Sequence, residues 1–255
     1  MSDALVIDRI ESNLVRLKLS RIPEVLTSLA KAAEEQEKSY LTFLDDLLEE
    51  EVAAKEQRRI ETVLKISGLP YIKSIDDFDF TFQPGLDKQK IMGLFDLNFI
   101  RDNGNVIFLG PPGVGKTHLV VSLALKACQA GMSIYFTTMA DLIMKLRKDH
   151  EEGKPGKSRS YYKSSLVVVD EVGYAPITGE ECNLFFCFVA NRYEKNSTII
   201  TSNKAFGVWT ELFHDPIIVT AILDRLLHHS TVINIKGNSY RLKGKMQNAD
   251  SKAEL

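Results

Sequence analysis

Five short apolar runs constrain the fold of this chain more than any other feature: "NVIFLG", "SIYFTT", "SLVVVDE", "STIITSN" and "STVINIK", each but the last followed by a helical pattern. Strands separated by helices cannot close as hairpins, so they must lie parallel, joined by crossovers that return each one to the same sheet. The pattern predicts a three-layer α/β core with a five-stranded parallel sheet between helices. With 255 residues, 44% of them hydrophobic, the chain is long enough to bury that core and to carry a smaller appendage.

The appendage is helical. Val6, Ile10, Leu14 and Leu17 keep one face apolar, Pro23 restarts a helix in its first turn, and a third pattern sets Leu41, Leu44, Leu47 and Leu48 on one side before Gly68 stops it. The proline, glycine and acidic residues of "GLPYIKSIDDFDFTFQPGLD" mark a connector. The predicted organisation is a helical domain over 1–70, the connector over 71–85, the α/β core over 86–243 and a polar tail over 244–255.

A net charge of -2 is not that of a basic nucleic-acid binder, so any such surface must be local. Two stretches qualify: the loop over 153–163, where Lys154, Lys157, Arg159 and Lys163 stand beside Tyr161 and Tyr162, and the helix bearing Arg58, Arg59 and Lys65. Each reads equally as solvated charge. No apolar run reaches the length of a membrane-spanning helix, and the N-terminus is acidic where a secretory signal would be basic, which predicts a cytoplasmic protein without a membrane partner. Cys128, Cys182 and Cys187 lack metal-ligand spacing and read as buried thiols.

The chemistry starts at "GPPGVGKTHL", where a strand ending at Leu109 runs into a glycine-rich turn and then a helix from Lys116. Gly110, Gly113 and Gly115 let backbone N–H groups approach phosphate oxygens, with Pro111, Pro112, Val114 and His118 completing the loop, while Lys116 reaches the β- and γ-phosphates and Thr117 supplies a hydroxyl to magnesium. The strand "SLVVVDE" ends in Asp170, read as the second metal-site residue, and Glu171, read as the base that orients and deprotonates water. A carboxylate beside the metal-site residue favours a hydrolysing nucleoside triphosphatase over a kinase.

Two further positions are less determined. Asn203, at the end of "STIITSN", either senses the γ-phosphate and the attacking water or forms a turn. In "AILDRLLHHS", Ile222, Leu223, Leu226 and Leu227 make an apolar face and Arg225 points away from it, either as a finger reaching a neighbouring subunit or as a surface ion-pair partner. His228 and His229, adjacent on that helix, are expected to point apart, against a metal pair.

The blocks "GPPGVGKTHLV", "VVVDEVGYAPI", "NRYEKNSTIITSN" and "AILDRLLHHSTVINIKGNSYRLK", in this order, make the chain resemble the IstB family, AAA+ ATPase helpers of insertion-sequence transposition, and more distantly the DnaC-type helicase loaders. The resemblance implies an AAA+ core, with Lys116 as the Walker A lysine, Asp170 and Glu171 as the Walker B pair, Asn203 as the sensor and Arg225 in the finger region. It also implies ATP and Mg2+ as cofactors, a homo-oligomer assembled on duplex DNA without strong sequence preference, and a transposase of the same element as partner. Beside it, a direct reading finds only about twenty residues after Ile235, too few for a C-terminal helical lid, with Arg241 read either as a side chain touching nucleotide or neighbour or as an exposed arginine near the terminus. The competing functions are a helicase loader and, ranked last, a metabolic P-loop kinase.

Overall fold

The computed structural model describes residues 3–153, 160–213 and 215–242, and it divides into two compact units, 1–62 and 63–255. In the first unit α1 (Asp3–Arg16), α2 (Ile22–Glu35) and most of α3 (Tyr40–Ile66) bury Leu14, Ile22 and Leu47 against one another. The predicted apolar side of α3 is displaced: Leu47 is buried, but Leu41, Leu44 and Leu48 are exposed. The inward face runs through Phe43, Leu47 and Glu51 at four-residue spacing, one residue and about 100° around the helix from the Leu44–Leu48 row.

Glu51 is 2% exposed and accepts the backbone N–H groups of Ser20 (3.3 Å), Arg21 (2.7 Å) and Ile22 (3.2 Å), so a side chain from α3 caps the start of α2. Burial alone would raise the Glu51 pKa, but these bonds to its charged form outweigh it and hold the pKa below the ordinary carboxylate value. A lowered folded-state pKa means stability that is present above the unfolded value and lost as pH falls through the folded one. Glu51→Ala is expected to cost the helical unit roughly 2 kcal/mol, read as faster hydrogen exchange along α2 at neutral pH, with the difference from wild type vanishing in acid.

The second unit carries α4 (Lys88–Leu94), α5 (Asn98–Arg101), β1 (Asn105–Leu109), α6 (Lys116–Gln129), β2 (Ile134–Thr138), α7 (Met139–Glu151), α8 (Ser160–Lys163), β3 (Leu166–Val172), α9 (Gly179–Arg192), β4 (Ser197–Ser202), α10 (Trp209–Phe213), α11 (Pro216–Leu227) and β5 (Ser230–Asn234). The five strands form one parallel sheet in the order β2-β3-β4-β1-β5. Val106 to Phe108 and Leu166 to Val169 are fully buried, because helices cover both faces of the sheet, and this is why the strands read as unbroken apolar runs. Past β5, the described residues add only a short 3-10 turn over Tyr240–Leu242 and contain no helical lid.

Local signals fix the helix starts. Thr178 and Glu181 make a capping box on α9, and Asp215 caps α11 by accepting from Ile217 and Ile218, both at 3.0 Å, with Pro216 in the first turn. Arg192, at the end of α9, is 1% exposed and donates to Thr198 Oγ1 and to the carbonyls of Tyr161, Tyr162, Ser164 and Ser197. Burial pushes its pKa down to about 9, so it stays charged at neutral pH. Of the predicted basic loop, residues 154–159 lie outside the described residues, as does the tail over 244–255; Tyr161 is a core residue, 3% exposed and bonded to Asp149. Among the cysteines, Cys128 and Cys182 are buried as expected, whereas Cys187 is exposed on the outer face of α9.

Candidate nucleotide site

The sheet register brings the chemistry to one edge. Leu109 pairs with Ser202, and Ser202 with Val172, so the loop after β1, the end of β3 and the end of β4 meet. Gly110 N–H donates to Ser202 O at 3.1 Å, tying the first loop glycine to the strand between β1 and β3. Gly113 and Gly115 take φ +80° and +102°, and a Cβ on Gly115 would stand 2.6 Å from the Phe78 ring. Only glycine meets both demands, which leaves the loop backbone turned toward the cavity.

That cavity, of about 240 Å³, is walled by the loop from Gly113 to His118 and by Asp170, Glu171 and Thr201. Gly110, Pro111 and Pro112 are not in its wall; instead the Lys116 ammonium donates to the carbonyls of Gly110 (2.6 Å) and Pro111 (2.8 Å). Burial lowers the Lys116 pKa, opposed by the attraction of Asp170. An anion bound in the loop would reverse that desolvation penalty.

Thr117 Oγ1 donates to Asp170 Oδ2 at 3.0 Å, and Thr201 hydroxyl bonds Asp170 Oδ1. Thr201 Oγ1 also accepts the N–H of Glu171 at 3.0 Å. This threonine, hidden inside an apolar strand, links both acids and was not singled out by sequence reasoning. Glu171 sits at an irregularity in the β3–β4 pairing with φ +64°, a left-handed backbone that an ordinary side chain adopts at some cost. Its carboxylate is exposed beside the buried Asp170.

Asn203 directly follows the residue bonded to Gly110, in the bend just past the end of the strand that neighbours the Asp170 strand, and its Oδ1 is buried without a hydrogen-bond partner. Arg225 is not brought to this cavity: it lies half-buried on α11, 4.9 Å over the Phe186 ring, donating to Ala221 O at 2.9 Å. Arg241, by contrast, lines the cavity together with Tyr240, whose N–H donates to Gly113 O at 2.9 Å.

The segment read as a connector forms the remaining wall, through Tyr71, Lys73, Asp77, Phe78, Asp79 and Gln83. Ser74 caps a 3-10 turn over Ile75–Asp77, and His118 Nε2 lies 3.0 Å from Ser74 O, which makes that nitrogen the donor. The Phe78 ring meets the His118 ring edge-on at 5.3 Å. An aromatic and hydrogen-bonding wall beside a phosphate cradle has the character of a base and sugar subsite.

The model of the family described as IstB-like ATP binding protein matches residues 12–248. The chain belongs to this family. Among its relatives, this IstB-like chain is 44% identical over 239 residues to the insertion sequence IS5376 putative ATP-binding protein of Geobacillus stearothermophilus, covering 93% of this chain and 95% of that one. It is 45% identical over 237 residues to the insertion sequence IS21 putative ATP-binding protein of Pseudomonas aeruginosa, covering 92% and 89%. Among solved structures it is similar to the DnaC helicase loader, with 25% identity and a TM-score of 0.51 over 58% of this chain and 87% of that one. The IstB-like core thus has the AAA+ fold, and β4 lies between the strand of the phosphate loop and the strand of the acid pair.

Proposed function

We propose that this IstB-like chain binds ATP with Mg2+, hydrolyses it, and uses the cycle to assemble on and release duplex DNA while recruiting the transposase of its insertion sequence. The observation that carries the ATPase reading is the contact chain Thr117–Asp170–Thr201–Glu171 at the mouth of the phosphate loop. Thr117 and Asp170 form an all-oxygen donor pair, which suits a hard cation that retains several waters. Bound there with ATP, Mg2+ would neutralise developing phosphate charge. Lys116 then turns from the Gly110 and Pro111 carbonyls toward the phosphates, and Glu171 takes a proton from the attacking water.

DNA, the transposase, the homo-oligomer and a place in the cytoplasm are our reading, supported by the insertion-sequence ATP-binding proteins among the relatives; among the described residues no helix is long and apolar enough to cross a membrane. Its place in the wall of the cavity that holds Lys116 supports a role for Arg241 toward the phosphates of its own subunit. The helicase-loader reading stays as the second one, on the similarity to the DnaC helicase loader.

Titration with a fluorescent ATP analogue tests the site. Lys116→Ala should weaken binding by roughly a hundredfold, the loss of a charge-assisted contact to phosphate in a half-buried pocket. Affinity within a few-fold of wild type would remove the loop from the nucleotide site.

A further inference from the structure

Away from the nucleotide cavity, Glu194, His228 and His229 stand together on the surface, with one ligand atom from each lying within 4.8 Å of the others. The expectation that the two histidines point apart fails at the junction of α11 with β5, where His229 lies in the turn. His228 is the cap and His229 already leads toward β5, so the rings lie 4.0 Å apart between centroids. Glu194 Oε1 is 3.8 Å from His228 Nδ1 and 3.7 Å from His229 Nε2, and the Tyr193 hydroxyl is 2.8 Å from His228 Nδ1.

The backbones beneath these side chains are held. Asn105 N–H donates to His229 O at 2.7 Å and its side-chain amide to Leu226 O at 3.1 Å, which ties the end of α11 to the first residue of β1. The turn after α9 is closed by Lys195 N–H (3.0 Å) and Asn196 N–H (3.1 Å) on Arg192 O, with Glu194 at φ +58°. Arg192 is itself buried in its cage of oxygens.

We propose that Glu194, His228 and His229 form a site for one divalent transition-metal ion of the zinc class. Two imidazole nitrogens and a carboxylate oxygen are the three-ligand set of an open zinc site, and nitrogen ligands disfavour Mg2+ and Ca2+. Tetrahedral bonds of about 2.0–2.2 Å put ligand atoms roughly 3.3–3.5 Å apart, so each carboxylate–imidazole pair closes by only a few tenths of an ångström. The three side chains, 55%, 51% and 56% exposed, have room for that movement and leave the fourth position to water, beside the Tyr193 hydroxyl. The ion would join the end of α9 to the end of α11, the helix that carries Arg225.

The test uses the full chain without a histidine tag, in the absence of nucleotide and Mg2+, with Co2+ as the spectroscopic probe. The expected result is one Co2+ per chain with the visible absorption of a four-coordinate site, displaced by an equimolar amount of Zn2+. Glu194→Gln should weaken uptake by at least roughly tenfold, the His228→Ala/His229→Ala double variant should lose the absorption, and Asp170→Asn should keep it, which separates this site from the nucleotide cavity. Zn2+ should also raise the Tm of wild type and not of the double variant. Absence of uptake by wild type, or absorption that survives the double variant, would overturn the proposal.

Discussion

Glu171→Gln is expected to bind ATP as tightly as wild type and to hydrolyse it roughly 10²–10⁴-fold more slowly, measured as phosphate release in a single turnover. The substitution keeps the size of the side chain and removes its basicity. Lys116, Thr117 and Asp170, which hold the phosphates and the metal in this account, are untouched, and Glu171 is exposed, so the fold has no reason to respond. The variant should therefore hold its DNA-bound assembly after wild type has released it. Hydrolysis within a few-fold of wild type would remove Glu171 from the base role. The left-handed backbone at this position adds a second arm: Glu171→Gly should leave Tm close to that of wild type, because relieved strain of about 1 kcal/mol offsets the entropic cost of glycine, while losing hydrolysis like the glutamine variant.

Arg225→Ala should lower the turnover rate by roughly 10³-fold or more, because an arginine finger stabilises charge on the phosphoryl group only in the transition state. Its position gives the prediction its form. The guanidinium rests on Phe186 outside the cavity of its own subunit, so in this account it serves the neighbour's ATP. Mixing Arg225→Ala with Lys116→Ala, each inactive alone, should then restore a fraction of the activity on DNA, since a Lys116→Ala subunit can lend its Arg225 to an Arg225→Ala subunit that binds ATP. No recovery in the mixture, with both variants still entering the assembly, would contradict a role in trans.

The legible parts of this molecule were those where one physical demand acts on consecutive residues. The central strands β1, β3 and β4 stood out because burial on both faces leaves no polar alternation, and the phosphate loop because its glycines are spaced by the turn they make. The walls of the cavity were illegible for the opposite reason: Tyr71, Phe78 and Tyr240 come from stretches without periodicity and meet only through the fold. Thr201 was hidden because a strand interior hides a hydroxyl among apolar neighbours. The histidine pair was misread by extending α11 through His229, which already lies in the turn into β5 although His228 keeps helical backbone angles. On α3, the row of Leu41, Leu44 and Leu48 drew the apolar face, while the buried side turned on Glu51, a charged residue that earns its place by capping another helix.

The central claim is that ATP drives this chain into assemblies on duplex DNA. Sedimentation of the wild-type protein with duplex or single-stranded DNA, with and without ATP, measures it directly. The account predicts large complexes on duplex that require ATP and dissolve steeply as salt rises, because phosphate contacts release counterions. Complexes confined to single strands, or equal in size with and without ATP, would contradict it.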